Sequence, residues 1–386
     1  MKKYNLLVPL AGKGQRMVDG GYSFPKPMIM AGDRHILDYG LDSIDYSECN
    51  LIFVVRRDHI CNFAIDKFLE KYGSDIKIIV AEEDTKGSVS TCLLAKDEIN
   101  SDIPLIIFCP DIYFEDKFKP TDDSFKHEGL ILTFKANSAN YSYVCEDQDG
   151  FVERTAEKLV ISDNASVGVY CFKSGKSFVN LAELATTNDL KTKNEFYICP
   201  LYNLLIAGGG KVKSQQVRVM YVMGTPDEMS FFKEVIYPYF LKRKIILCAD
   251  HSGFETKERI KDYLIELEYD FLDCGTYSKS DCDYSDYIDQ AVESKRFFPG
   301  ALIIGCCRSA QGINMCANKH SGIRSAMIST AEAASLAIRH NAANFFAIPV
   351  GIDAVELESM IDTLLSEKFE GGRFQNRLQK LKRIPV

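Results

Sequence analysis

The chain has 386 residues, more than one hydrophobic core usually supports at roughly 100–200 residues per domain, so two domains are expected. Its 46% hydrophobic and 26% charged residues are those of an ordinary water-soluble globular protein, and the lack of any run of about 18 apolar residues argues against a transmembrane helix and a membrane partner. A formal net charge of −8 without a dense Lys/Arg run argues against nucleic acid as a partner, although local basic residues still suit small phosphates. Thirteen cysteines are scattered, mostly within apolar stretches (Cys61, Cys92, Cys171, Cys248), with no C-x-x-C pair, and read as reduced core residues. Nothing at Met1-Lys2-Lys3-Tyr4 has the pattern of a signal peptide, so a cytoplasmic protein is expected.

The first apolar run, residues 4–10, ends in a loop punctuated by glycine, Leu10-Ala-Gly-Lys-Gly-Gln-Arg16. Gly12 and Gly14 let backbone N–H groups approach anionic oxygens, and Arg16 and Lys26 add full positive charges. Lys26 stands between Pro25 and Pro27, which restrict its backbone. The combination is suited to holding a polyphosphate; a strand-to-helix turn that merely favours glycine is the bland alternative. Apolar β-rich runs follow at 50–55, 77–81 and 104–109, with helical spacing at 36–44 and 91–99 between them. Strands alternating with helices imply a mostly parallel sheet covered on both faces, whose ligands collect at the carboxyl ends of the strands. Asp111 falls at that edge, either as a turn former or as a Mg²⁺ ligand, since the metal takes carboxylate, phosphate and water oxygens.

The glycine loop with Pro-Lys-Pro, Thr85-Lys-Gly-Ser-Val-Ser-Thr, Pro110-Asp111, Glu157-Lys158, Asn194-Glu-Phe-Tyr197 and Gly224-Thr-Pro-Asp227 resemble the sugar-phosphate nucleotidylyltransferase family over about residues 1–240. The resemblance implies a Rossmann-like domain that transfers a nucleotidyl group from a nucleoside triphosphate to a sugar or polyol phosphate, with Mg²⁺ as cofactor and pyrophosphate released. Carried over residue by residue, it implies that Leu10, Gly12, Gly14 and Gly87 meet the nucleotide and that Arg16 and Lys26 are catalytic cations. Glu157 and Lys158 would meet the acceptor, and Asp111 and Asp227 would share the metal. Asp227 also reads as a helix N-cap, and Lys158 as an exposed salt-bridge lysine. Pro110 departs from the family, where a small residue is commoner.

A helical stretch is expected from Asp227 to about residue 240, and a second domain over 244–386. It repeats the strand-loop-helix pattern: an apolar strand at 245–249 leads into Asp250-His251-Ser252-Gly253, and Ile260, Leu264 and Leu267 mark a helical face. Further strands are expected at 271–272, 301–304 and 345–349. The whole chain is therefore read as α/β, with two doubly wound Rossmann-like domains. Asp250-His-Ser-Gly-Phe-Glu-Thr-Lys257, Asp273-Cys-Gly-Thr-Tyr277, Asp283-Tyr-Ser-Asp-Tyr287, Gly312, His340-Asn341 and Phe369-Glu-Gly-Gly-Arg373 with Arg377 resemble type B ribose-5-phosphate isomerases and galactose-6-phosphate isomerase subunits.

That resemblance implies that Cys307 moves a proton between C1 and C2 of an opened sugar, and that Asp250, His251, Ser309, Gly312 and Asn341 hold the sugar phosphate. Arg373 and Arg377 would bind its phosphate across a homodimer formed through this domain. Physically, Arg308 beside Cys307 is expected to lower the thiol pKa, while Cys306 fills the core. Two departures stand out. Cys307-Arg-Ser-Ala-Gln-Gly312 carries side chains where the family has a glycine-rich stretch, and Ser329-Thr330 stands where it has a ring-opening His-Asp pair. An isomerase of an already open or different sugar, a non-catalytic sugar-phosphate module and a dimerisation domain are the three readings. Fusion of the two domains suggests successive steps toward an activated sugar for a surface polysaccharide.

Overall fold

A computed structural model describes residues 2–241 and 243–381. The chain divides into two compact units, Met1–Met229 and Ser230–Val386. The segment 230–240, expected to close the first domain, belongs to the second: Phe231 packs against Phe369 with ring centroids 6.1 Å apart. Among the described residues, no helix is long and apolar enough to cross a membrane.

The N-terminal unit contains β1 (Tyr4–Pro9), β2 (Cys49–Arg56), β3 (Lys77–Ala81), β4 (Leu105–Phe108), β5 (Ile112–Phe114), β6 (Gly129–Lys135), β7 (Ser142–Glu146), β8 (Val152–Glu157), β9 (Asn164–Phe172), β10 (Val212–Gln216) and β11 (Met220–Val222). Its main sheet runs β10-β6-β9-β4-β1-β2-β3, with the β7–β8 pair attached through β9. The four strands β4, β1, β2 and β3 are parallel, as their apolar sequences imply, whereas β9 runs antiparallel to β4 and β6. Alternate residues of β1 serve opposite cores. Leu6 and Val8 join one side with Leu51 and Phe53; Leu7 joins the other with Ile52 and Val54. Covering both faces leaves only the strand ends accessible. Because β1 and β4 are neighbours, the glycine loop and Cys109-Pro110-Asp111 emerge side by side at that edge.

The helix expected over 91–99 is split into Ser88–Leu93 and Lys96–Ile99. The physical cause is local: Leu94 and Ala95 donate to carbonyls three residues back, on Thr91 and Cys92, and so tighten and end the first helix.

The C-terminal unit is built on β12 (Ile245–Ala249), β13 (Phe271–Asp273), β14 (Leu302–Cys307), β15 (Ser325–Met327) and β16 (Phe345–Pro349), all parallel in the order β13-β12-β14-β16-β15. Ile245 and Leu247 face one core and Ile246 and Cys248 the other, so this sheet too is covered on both sides. β15 has no apolar run to announce it; three residues, Ser-Ala-Met, are held by pairing to β16.

The helix Phe254–Glu266 that follows β12 ends in a Schellman turn: Tyr269 N–H donates to Leu264 O at 2.9 Å and Glu268 N–H to Ile265 O at 3.0 Å. Glu268 occupies the left-handed position (φ 50°) with its side chain exposed, where glycine is the favoured residue. Glu268→Gly is expected to raise unfolding free energy by about 1 kcal/mol. Chemical denaturation would read this as a higher midpoint at an unchanged slope; a lower midpoint would contradict the assignment.

Candidate functional site

The edge formed by β1 and β4 opens onto two pockets. One, of about 260 Å³, lies under the glycine loop and is lined by Leu10, Gly12, Gly14 and Lys26. The other, of about 290 Å³, is lined by Tyr141, Glu157, Tyr197, Thr225 and Glu228. Arg16, Cys109 and Asp111 line both. Gly14, at φ 63°, makes the left-handed turn that starts the five-residue helix Gln15–Asp19. Lys13, inside the same loop, is taken up by Asp84 at 2.5 Å, while Arg16 makes no ion pair among the described residues.

At the floor, Lys26 Nζ donates to Asp111 Oδ2 at 2.6 Å. A Cβ built on Gly224 would stand 3.1 Å from Asp111 Oδ2, 3.1 Å from Glu228 Oε2 and 3.5 Å from Lys26 Nζ, so these three charged groups converge where the chain has no side chain. Burial, and then the charge of Asp111, raise the Glu228 carboxyl above the usual carboxylate range, against weaker hydrogen bonds from Thr225 and Gly224 and the charge of Lys26. Asp227 does not join this set. It is exposed in the first turn of Pro226–Phe231, and neither pocket includes it; the helix N-cap is Thr225, whose Oγ1 accepts from Glu228 N–H at 3.3 Å. The cap read for Asp227 therefore passes to Thr225, and Glu228, not Asp227, stands beside Asp111. Thr225-x-x-Glu228 is the spacing of a capping box, and that was the available signal.

Among the described residues, no group of three or more His, Cys, Asp or Glu could enclose a metal ion. Asp111 and Glu228 still fit Mg²⁺, which commonly takes one or two carboxylates and completes its shell with phosphate oxygens and water.

In the larger pocket, Glu157 accepts a hydrogen bond from the Ser142 hydroxyl, and burial raises its pKa. Lys158 is placed through Tyr197: its ammonium meets the phenol oxygen and lies 4.5 Å from the ring centroid. Gly87 lines neither pocket, although Ser88 does. Its φ of 104° and a virtual Cβ 2.6 Å from Phe196 O explain the glycine by close backbone packing, which Phe196 N–H seals by donating to Lys86 O at 2.9 Å. Tyr141, Ser142 and Thr225 carry no sequence mark that separates them from other surface polar residues.

In the C-terminal unit the carboxyl ends of β12 and β14 bring Asp250 and Cys307 together. Asp250 is 6% exposed, and its Oδ1 accepts from Gly253 N–H at 2.8 Å. Burial pushes the Cys307 thiol up, and Asp250 adds to this by accepting its hydrogen bond; backbone N–H groups of Ser309 and Ala310 pull the other way. This corrects the expectation that Arg308 lowers the thiol: its side chain is exposed, and burial with Asp250 sets the direction upward. Cys306 faces the opposite core and is fully buried, as expected. Iodoacetamide near pH 7 is expected to modify the exposed Cys61 well before Cys307, whose rate should climb only as pH passes the ordinary thiol range. Peptide-mapped alkylation checks the order, and Cys307 reacting first would contradict it.

The remaining predicted residues separate into two groups. His251 Nδ1 lies 3.1 Å from Cys282 O and 3.2 Å from Asp281 Oδ1, on the 281–282 loop. Ser309 is exposed, and Gly312 is explained by Tyr284, whose hydroxyl would be 2.8 Å from a Cβ there. Ala310 makes the left-handed turn (φ 59°) before Gln311–Ala317 without a glycine. Arg373 and Arg377 are exposed on Gly372–Leu381 and lie 4.8 and 5.3 Å from the Phe374 ring centroid. His340 stacks on the same ring at 4.1 Å, with Asn341 exposed beside it. Among the described residues no hydrogen bond, ion pair or ring contact joins this cluster to Asp250 or Cys307. Ser329 is exposed, and Thr330 caps the helix Ala331–Asn341 by accepting from Ala333 N–H at 3.1 Å.

Comparison with known proteins separates the halves. The N-terminal unit shares the fold of the nucleoside-diphosphate-sugar pyrophosphorylase crystal structure from Vibrio cholerae RC9, at 23% identity and a TM-score of 0.53, covering 59% of this chain and 99% of that one. The C-terminal part is 36% identical over 146 residues to ribose-5-phosphate isomerase B of Escherichia coli (strain K12), covering 37% of this chain and 96% of that protein. It is 33% identical over 143 residues to a galactose-6-phosphate isomerase subunit of Clostridium acetobutylicum, covering 36% of this chain and 99% of that protein. The family described as Ribose/Galactose Isomerase matches residues 245–381, and through that part the chain belongs to it.

Proposed function

We propose that the chain is a bifunctional cytoplasmic enzyme of activated-sugar synthesis, with a nucleotidylyltransferase in the N-terminal unit and a sugar-phosphate isomerase in the C-terminal one. For the first activity, the supporting observation is the pair of pockets that share Arg16 and Asp111. Such an arrangement suits a reaction between two anionic substrates. The nucleoside triphosphate takes the pocket under the glycine loop, and a sugar or polyol phosphate takes the one with Glu157 and Tyr197. The acceptor phosphate is already an anionic nucleophile, so the protein's work is to hold both partners in line and offset their repulsion. Arg16 does this from the shared wall and Lys26 from the nucleotide pocket beside Asp111, and Glu157 orients a sugar hydroxyl. Mg²⁺, held by Asp111 and Glu228, would supply charge neutralisation on the phosphates when bound.

For the second activity the chain's own groups are the Cys307 thiol, Asp250 and the Ser309 and Ala310 amides. Asp250 takes the thiol proton, and the sulfur, steadied by the two N–H groups, removes the proton from C2 of an open-chain aldose phosphate. The enediolate that results takes the proton back at C1 while the O2 hydroxyl proton passes to O1, giving the ketose with atoms conserved. Because Ser329 cannot work as the missing ring-opening acid, the reading favours a sugar presented open. Two arginines four residues apart repel one another by a few tenths of a kcal/mol, which a bound phosphate would offset; their separation from Cys307 favours supply to a partner subunit of a homodimer.

A matrix of nucleoside triphosphates against sugar and polyol phosphates, read as pyrophosphate release in Mg²⁺, tests the first activity. Release with at least one pair is expected; silence across the whole matrix would end the transferase reading.

A further inference from the structure

The C-terminal unit holds another charged cavity, at the sheet edge opposite Asp250 and Cys307. It measures about 110 Å³ and lies at the amino ends of β14, β15 and β16, where Leu302, Arg324 and Asn344 line it. Its far wall comes from Glu234, Tyr239 and Arg243, that is, from the segment ahead of β12. Asp250 and Cys307 have no part in it.

Its charge is unbalanced. Lys295, the last residue of the helix Tyr284–Lys295, donates to the carbonyls of Pro299 at 3.0 Å and of Ala301. Arg324 donates Nε to Ala342 O at 2.8 Å, and its two terminal nitrogens have no hydrogen-bond partner among the described residues. Arg243 is committed elsewhere: its guanidinium donates to the carbonyls of Leu364 at 2.8 Å, Leu365 at 3.1 Å and Glu367 at 2.5 Å. The single lining carboxylate, Glu234, is exposed, and its charge acts on Arg324. Burial pulls the Arg324 guanidinium down, and burial with the charge of Arg324 brings Lys295 to about 8. Two poorly solvated cations side by side are unfavourable unless an anion joins them.

We propose that this cavity binds a phosphoryl group, held by the Lys295 ammonium and the terminal nitrogens of Arg324. A planar guanidinium fork engages two oxygens of such a group and an ammonium a third, which is the recognition these two side chains offer in combination. The cavity's size suits one phosphoryl group and excludes a nucleoside. Because one wall is formed by Glu234, Tyr239 and Arg243, the bound anion joins those residues to the amino edge of the sheet. Inorganic phosphate, pyrophosphate and the phosphate end of a sugar phosphate share the required chemistry.

The test uses the full chain and acetylation of lysines near pH 8, followed peptide by peptide in the mass spectrometer. Phosphate, pyrophosphate or ribose 5-phosphate is compared with sodium chloride at equal ionic strength. The bound ligand is expected to slow acetylation of Lys295 about tenfold once it reaches roughly ten times its Kd, by mass action. The strongest protector among the three identifies the source. Equal rates in all three and in sodium chloride would overturn the proposal. Arg324→Gln should abolish the protection, and full protection in that variant would also overturn it. Should Arg324→Gln fail to fold, Glu234→Gln at an exposed site keeps the question open to decision: its midpoint for protection should fall, and an unchanged or higher midpoint counts against the site.

Discussion

Glu228→Gln is expected to lower pyrophosphate release at least about a hundredfold, the scale on which loss of one charge-stabilising group acts in an active site. Asp227→Asn should stay within about twofold, as substitutions at exposed positions usually do. The contrast isolates the geometry, because the two residues are adjacent in sequence and differ in whether they meet Asp111 at Gly224. Stability should move the other way from activity. A carboxyl whose folded pKa is raised costs stability as pH climbs from its unfolded to its folded value, and the full cost is present above the folded one. Glutamine removes that cost, so Glu228→Gln is expected to melt at an equal or higher temperature while its rate falls. A variant that loses rate and melting temperature together would show instead that Glu228 is a packing residue.

Cys307→Ala is expected to abolish aldose–ketose interconversion of pentose phosphates, a loss of about 10²–10⁴ for a group that moves the proton. Asp250→Asn separates catalysis from architecture by a second readout. It removes a charge that raises the thiol, so Cys307 should alkylate faster at neutral pH while isomerisation slows. A purely structural Asp250 would give slower turnover with unchanged or indiscriminate alkylation. If the native chain turns over no sugar phosphate yet retains one, the unit is a binding module, and the Arg373 and Arg377 cluster is then the part to vary.

Several parts of this molecule are legible in its sequence because they rest on local rules. The apolar runs of β1, β2, β4, β12 and β14 are buried on both faces and declare parallel strands; the glycine loop, Lys26 and Asp111 follow from position at a strand end. What stayed hidden depends on distant partners. β15 exists through its pairing, and Gly87 through the backbone of Phe196, more than a hundred residues away in the chain. Glu228 was displaced by its neighbour because a helix start points adjacent side chains in different directions, and only the fold says which direction holds Asp111. The thiol follows the same rule: Arg308 is near in sequence, but Asp250, just past the end of β12, touches the sulfur.

Arg16 belongs to both N-terminal pockets and is committed to no carboxylate among the described residues. One charge shared by two sites links their occupancies. Whichever polyanion arrives first draws the guanidinium toward itself and alters the affinity left for the second, and thermodynamic reciprocity makes that factor identical whichever is titrated first. With Arg16→Ala, the Kd of each substrate alone would weaken, but the two titration orders would converge on independent binding. On the proposed function, Arg16 would thus couple the two ligands as well as hold either.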